Sequence, residues 1–276
     1  MIEEQFNGQK DIAIFFRSWH PDTKPHAIVA ICHGLNAHSG EYLWVADQLQ
    51  AAGCAVYALD LRGRGKSDGE RFYVDDLADY VSDIAMLIEL AKKREPGVPV
   101  YLLGHSAGGV VSCVYTLDNQ DKIAGLICED FAFQVPAPDF ALAVVKGISH
   151  LAPHAHVLKL HNEDFSRDPK VVKSKNDDPL IAHEVQPSAT VAALVRADER
   201  LKREFPSIKL PVFILHGTAD KVTKVSGSQM FYDNAGSTDK TLKLYEGHYH
   251  DLLNDVSKEE VMSDIVAWID KRLPRR

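Results

Sequence analysis

The sequence predicts an α/β fold: a doubly wound, mostly parallel sheet with a helical cap inserted in it. Three observations carry this. Short runs of continuous apolar residues, the pattern of strands buried on both faces, alternate with stretches of helical periodicity. The alternation stops between about residues 131 and 209, where helical stripes and prolines replace it. It resumes at Leu210.

In chain order, Asp11–Trp19 alternates apolar with polar residues and reads as an edge strand. His26–His33 is the first fully apolar run. A helical stripe follows at Tyr42, Val45, Leu49 and Ala52, then a second run at Cys54–Asp60. Leu77, Val81, Ile84, Ile88 and Ala91 mark a helix that stops at Glu95-Pro96-Gly97. Val98–Leu103 and Ile123–Cys128 are the next strands. Leu210–His216 and Thr241–Tyr245 follow the interruption, and a final helix is expected to start at a capping box, Ser257…Glu260, and to bury Val261, Ile265 and Trp268.

The interruption contains no convincing strand. Phe140, Val144, Ile148 and Leu151 form one helical stripe, and Val191, Leu194, Val195 and Leu201 form another. So long a segment is no plain loop. The expected organisation is a core of residues 1–130 and 210–276 with a cap of residues 131–209.

Composition narrows the function. The chain has 276 residues, 45% hydrophobic and 25% charged, which is ordinary for a folded protein. A formal charge of −8 repels phosphate backbones, so nucleic acid is not an expected partner. No long apolar run is present to span a bilayer, and Met1-Ile2-Glu3-Glu4-Gln5 does not begin a secretory signal. Cys32, Cys54, Cys113 and Cys128 sit in apolar stretches without CxxC spacing and read as reduced core thiols, which points to the cytoplasm. The basic end, Lys271–Arg276, reads as a solvated tail. Nothing here indicates an oligomeric state.

The chemistry-bearing motif is Gly104-His105-Ser106-Ala107-Gly108, a G-x-S-x-G running out of an apolar strand and into a small-residue helix start. Such a turn exposes a serine hydroxyl above a helix N-terminus, and it needs small neighbours for the backbone to pass. A serine is a weak nucleophile without a base, and in this architecture acid and histidine follow it in chain order. Asp220, just past a strand end, is the favoured acid, with Asp130 in Glu129-Asp130 as its rival. His248 and His250 compete as the base, and spacing alone leaves them open. A His33-Gly34-Leu35 turn after an earlier strand suggests backbone donors for an oxyanion at Leu35 and Ala107. His105 and His248 are the expected substrate contacts. His150, His154, His156 and His161 lack the carboxylate or thiolate partners of a zinc site, so no metal is expected.

With these pieces placed, the chain resembles α/β-hydrolases of the monoacylglycerol lipase type, grouped with the serine aminopeptidase S33-like hydrolases. His33–Tyr42 is similar to the family's HGxxxHxxRY segment, with Glu41 where arginine is common. Asp60–Gly69 is similar to DxRGHGxSxG, with Arg64 where histidine is usual. Gly104–Gly109 resembles GHSMGG with Ala107 for methionine, and Asp239–His250 resembles DKTLKxYEGxYH. Ser166–Pro169 and Asn176–Leu180 resemble cap segments. Glu129-Asp130 stands where the family often has Ser-Pro.

The resemblance implies that the second histidine, His250, is catalytic. It also implies a Ser106–His250–Asp220 triad working through an acyl-enzyme, no cofactor, and a small lipophilic ester as partner. Activity is then expected to fall below the pKa of the histidine, in the region of about pH 6–7. An aminopeptidase, thioesterase or perhydrolase on the same scaffold is the alternative, as is a ligand-binding protein that has kept the fold. Epoxide hydrolases and haloalkane dehalogenases need an aspartate where Ser106 stands.

Overall fold

The computed structural model describes residues 1–273. Its strands are β1 (Ile2–Asn7), β2 (Ala13–Trp19), β3 (Ala27–Cys32), β4 (Cys54–Leu59), β5 (Val100–His105), β6 (Gly125–Glu129), β7 (His156–Leu158), β8 (Gln186–Pro187), β9 (Val212–Gly217) and β10 (Lys240–Tyr245). The helices are α1 (Leu43–Ala51), α2 (Leu77–Arg94), α3 (Ala107–Asn119), α4 (Asp139–Leu151), α5 (Pro169–Asp177), α6 (Ser188–Glu204), α7 (Val225–Asn234) and α8 (Lys258–Asp270).

Eight strands form one sheet in the order β1-β2-β4-β3-β5-β6-β9-β10. From β4 through β10 the pairs are parallel, while β2 runs antiparallel to both β1 and β4. The Asp11–Trp19 run is therefore not the edge: β1 covers it. Only Ile2 and Phe6 of β1 are apolar, too few to announce a strand, and the strand is held by its backbone pairing with β2.

Both faces of β3, β4, β5, β6 and β9 are buried, which is why these strands read as unbroken apolar runs. Successive residues of one strand go to opposite layers. Ile28 and Ala30 pack with Ile84 and Leu87 of α2, Val110 of α3 and Phe231 of α7. Val29 and Ile31 pack with Val45 and Leu49 of α1 and Val261, Ile265 and Trp268 of α8. The strand C-termini meet one another where open α/β sheets place ligands.

Three expectations need correction. No side chain caps α8: Ser257 is in the left-handed region (φ 68°), and the Glu260 N–H reaches its carbonyl (3.1 Å) instead. Arg272 of the basic end lies 3.9 Å from the Trp268 ring centroid and pairs with Asp239, so this part is docked. The rest of that expectation, at 274–276, lies outside the described residues. The long excursion between β6 and β9 contains a small antiparallel pair, β7 with β8.

Within that excursion the two helical stripes face opposite environments. α6 packs on α3, α2 and α4, burying Leu201 and Val191. The α4 stripe faces out: Phe140 is 72%, Val144 55% and Leu151 91% exposed. Periodicity reveals that a helix has an apolar face, not what that face meets. No described helix is long and apolar enough to cross a membrane.

Candidate active site

Between β5 and α3 the chain turns within one residue. Ser106 takes φ 54° and ψ −122°, a region side chains rarely enter. Its neighbours permit this by lacking side chains. A Cβ on Gly108 would lie 2.1 Å from the Cys32 carbonyl oxygen. A Cβ on Gly34 would lie 2.8 Å from that of Ser106, so the loop after β3 rests directly against the serine.

The loops after β9 and β10 supply the other groups. His250 Nε2 lies 2.8 Å from Ser106 Oγ, and His250 Nδ1 lies 2.8 Å from Asp220 Oδ2. The side chains of His250 and Asp220 are fully covered. Asp220 Oδ1 accepts the N–H groups of Val222 (2.7 Å) and Thr223 (2.9 Å). Its Oδ2 also accepts the Thr223 hydroxyl (2.6 Å) and lies 3.1 Å from His216 Nε2. Burial works to raise the Asp220 pKa. The His250 charge and the hydrogen bonds from His216, His250 and Thr223 outweigh it and hold the carboxyl well below its ordinary range.

His250 is gripped on both sides. Phe165, from the excursion, meets its ring edge-on at 5.1 Å, and its carbonyl accepts the Asp251 N–H at 2.9 Å. His105 lies at 5.0 Å between ring centroids and donates from Nε2 to the His250 carbonyl at 3.0 Å. This corrects the expectation of a substrate contact. His105 is 1% exposed and spends its donor on the histidine loop, and burial brings its pKa down to about 4.

The rivals sit elsewhere. Asp130 Oδ1 accepts the Gly217 N–H at 2.9 Å and makes no hydrogen bond to His250. Burial, with the charges of Asp220 and Glu129, pushes its carboxyl well above the usual range. Glu129 accepts the Leu253 N–H at 2.9 Å and is likewise pushed up, by burial and then by Asp251. His248 lies edge-on to Tyr245, 5.7 Å between centroids, with Nδ1 3.2 Å from the Glu246 carbonyl.

The N–H groups of Leu35, which follows the Gly34 that rests on Ser106, and of Ala107, the residue after Ser106, meet no acceptor among the described residues. Ala107 opens α3, where backbone donors are free and the helix dipole favours an anion. The departure at Glu41 has a partner: buried Lys175 of α5 pairs with it and stands 3.9 Å from Asp251. Phe165, Thr223, His216 and Lys175 escaped the sequence reading. Of these only His216, a polar residue ending an apolar strand, left a signal.

Among the described residues, two sets have ligand atoms within 4.8 Å of one another, the buried His105–Glu129–Asp130 and the largely buried Asp130–His216–Asp220. Their histidines are already engaged, His105 with the His250 carbonyl and His216 with Ser228 (2.7 Å). His154 pairs with Glu70 at 2.7 Å and stacks on Tyr73. Cys32, Cys54, Cys113 and Cys128 are buried free thiols, and burial pushes Cys32 and Cys54 up to about 12.

A cleft of about 610 Å³ opens between α5 and Tyr249, lined by Arg167, Val172, Lys173 and Lys221 among others; Ser106 and His250 are not in its lining. Ser106 itself is 4% exposed.

Comparison with known proteins gives the family. The serine aminopeptidase, S33 family matches residues 23–257. A monoacylglycerol lipase of Mycolicibacterium smegmatis is 34% identical over 275 residues, 98% of each chain. A monoglyceride lipase of Homo sapiens is 31% identical over 264 residues, 94% of this chain and 87% of that one. The crystal structure of the Paleococcus ferrophilus monoacylglycerol lipase superposes with a TM-score of 0.85 at 31% identity, covering 94% of this chain and 99% of that one. The chain belongs to the serine aminopeptidase S33 family of hydrolases, with the α/β-hydrolase fold and a likeness to monoacylglycerol lipases over nearly its whole length.

Proposed function

We propose that the protein hydrolyses carboxylic esters with a lipophilic acyl part, such as monoacylglycerols, by two-step acyl transfer. The supporting observation is the continuous Asp220–His250–Ser106 relay, 2.8 Å at each link. His250 takes the Ser106 proton as Oγ attacks the ester carbonyl. Asp220, held ionised, orients the ring and stabilises the imidazolium. The N–H groups of Leu35 and Ala107 donate hydrogen bonds to the oxyanion that forms from the carbonyl oxygen, and each such donor contributes about 2.7–4 kcal/mol in comparable sites. His250 then protonates the leaving alcohol, and water repeats the sequence on the acyl-enzyme.

Residues 131–209 act in this reading as the cap. With Ser106 this covered, a lipid-sized ester reaches it when the cap shifts. His248 Nε2 is buried and has no partner among the described residues, which supports keeping that residue on the substrate side.

The test is Ser106→Ala against a panel of esters graded by acyl length, with matched amides and thioesters. The expected result is a folded variant without ester turnover and a parent that labels with a fluorophosphonate. Full activity in the variant excludes the nucleophile. A preference for amides or thioesters replaces the substrate class. A parent that neither labels nor turns over any of them is a binding protein.

A further inference from the structure

The loop that carries the Leu35 N–H is held from within on one side only, where His33 Nδ1 donates to the Gly34 carbonyl at 2.7 Å. Its next residue, Asn36, is in the left-handed region (φ 50°), which an asparagine tolerates and which still needs support. That support comes from the cap. The Asn36 N–H donates to Glu184 Oε1 at 3.0 Å, and its amide donates to Asn162 Oδ1 at 3.1 Å and the Leu160 carbonyl at 3.4 Å.

Glu184 is anchored in turn. The same Oε1 accepts Arg64 Nη1 and, at 2.6 Å, the Gln186 amide. Oε2 has no partner among the described residues, so the grip on the loop passes through one oxygen. Arg64, 1% exposed, fixes the group from below through Gln186 Oε1 (2.8 Å), the Phe72 carbonyl (3.3 Å) and the Tyr80 hydroxyl (3.3 Å). Arg64 is also the residue that departs from the DxRGHGxSxG pattern.

Two physical arguments give this pair a purpose. Burying a carboxylate with a guanidinium rarely adds stability over an apolar pair of the same size, so packing alone does not account for it. A bare carboxylate near a developing oxyanion would oppose the reaction, and Arg64 cancels that charge while leaving the oxygen free to hold the loop.

We propose that Glu184, backed by Arg64, is a positioning residue: by holding the Asn36 N–H it fixes the Leu35–Asn36 peptide, and so the far side of Leu35, while His33 holds the Gly34–Leu35 peptide that carries the donor, and the two together aim the Leu35 N–H at the oxyanion. This rests on the proposed function above, in which Leu35 is an oxyanion donor.

Two variants separate positioning from support of the fold. Glu184→Asp keeps the charge beside Arg64 but draws the oxygen away from the Asn36 N–H. Glu184→Gln keeps the acceptor at full length but strips Arg64 of its counter-charge. E184D is expected to fold and to lose about tenfold to hundredfold in kcat with KM within about twofold, as misplacement near 1 Å does elsewhere. Its affinity for a trifluoromethyl ketone, which forms the tetrahedral oxyanion, falls by the same factor. E184Q melts lower than E184D yet loses about threefold at most in kcat.

The proposal is overturned if E184D keeps kcat within about twofold of the parent, if kcat follows Tm across the two variants, if only KM moves, or if E184D fails to fold. Ser106→Ala in the same assay keeps the two readings apart. Activity there sinks the nucleophile itself, whereas an inactive S106A beside an unaffected E184D sinks only the role of Glu184.

Discussion

The strand ends of the sheet and the segment between β6 and β9 handle polarity in opposite ways. At the sheet, charged and polar groups are sunk beneath both helix layers: Asp130, Glu129, His216 and His250 are all at 0% exposure. In the inserted segment, apolar groups are pushed outward on α4, while its buried polar residues, Lys175 and Glu184, face the core. The sheet spends its fold energy on holding reacting groups. The insertion spends its polar groups on holding the loops that carry those residues.

The hardest test of this contrast is Asp220→Asn. If the relay at the strand ends does the chemistry, kcat falls by about 10⁴-fold with the fold retained, as loss of the orienting carboxylate does in other triads. A loss below about tenfold would hand the role to Asp130.

A smaller effect is expected at Asp130. Its carboxyl is held up by burial first, then by Asp220 and Glu129. The folded molecule therefore keeps a proton that the unfolded chain releases above about pH 4. Stability from this group is full below that pH and is lost as pH rises toward the native value. Asp130→Asn removes the loss, so between about pH 5 and about pH 8 its Tm falls less than that of the parent. Equal slopes would mean that Asp130 is ionised in the fold.

The smallest effect belongs to the insertion. Val144→Ser, on the exposed face of α4, should change stability by no more than about 0.5 kcal/mol in urea unfolding. A larger cost would show that this face is covered in solution.

What could be read from the chain follows the same division. Continuous apolar runs announced β3, β4, β5, β6 and β9, because both faces of those strands are buried; most of β10 was also read as a strand, although at the sheet edge it is half-exposed. β1 was invisible because only two of its residues are apolar: its ladder with β2 and the pairs of Glu3 with Arg17 and Lys66 and of Glu4 with Arg94 leave no apolar run to read. Ser106 and Asp220 were legible as polar residues placed just beyond apolar strands. His248 and His250 were not separable by spacing, since both lie on one loop; the resemblance of Asp239–His250 to DKTLKxYEGxYH is what pointed to His250. Glu184 and Arg64 lie 120 positions apart with no shared period, so nothing in the sequence links them. The α4 stripe announced its helix but not what its apolar face meets: amphipathic spacing marks a face without saying whether protein or solvent lies beyond it.

The backbone at Ser106 carries a last consequence. A residue with a Cβ held at φ 54° and ψ −122° stores about 1–3 kcal/mol of strain, which a glycine in its place would release. Replacing the nucleophile would thus yield a sturdier protein with nothing to attack with. Directed evolution that selects survivors of heating alone would enrich inert molecules, and any thermostabilisation campaign on this scaffold has to screen for turnover at every round.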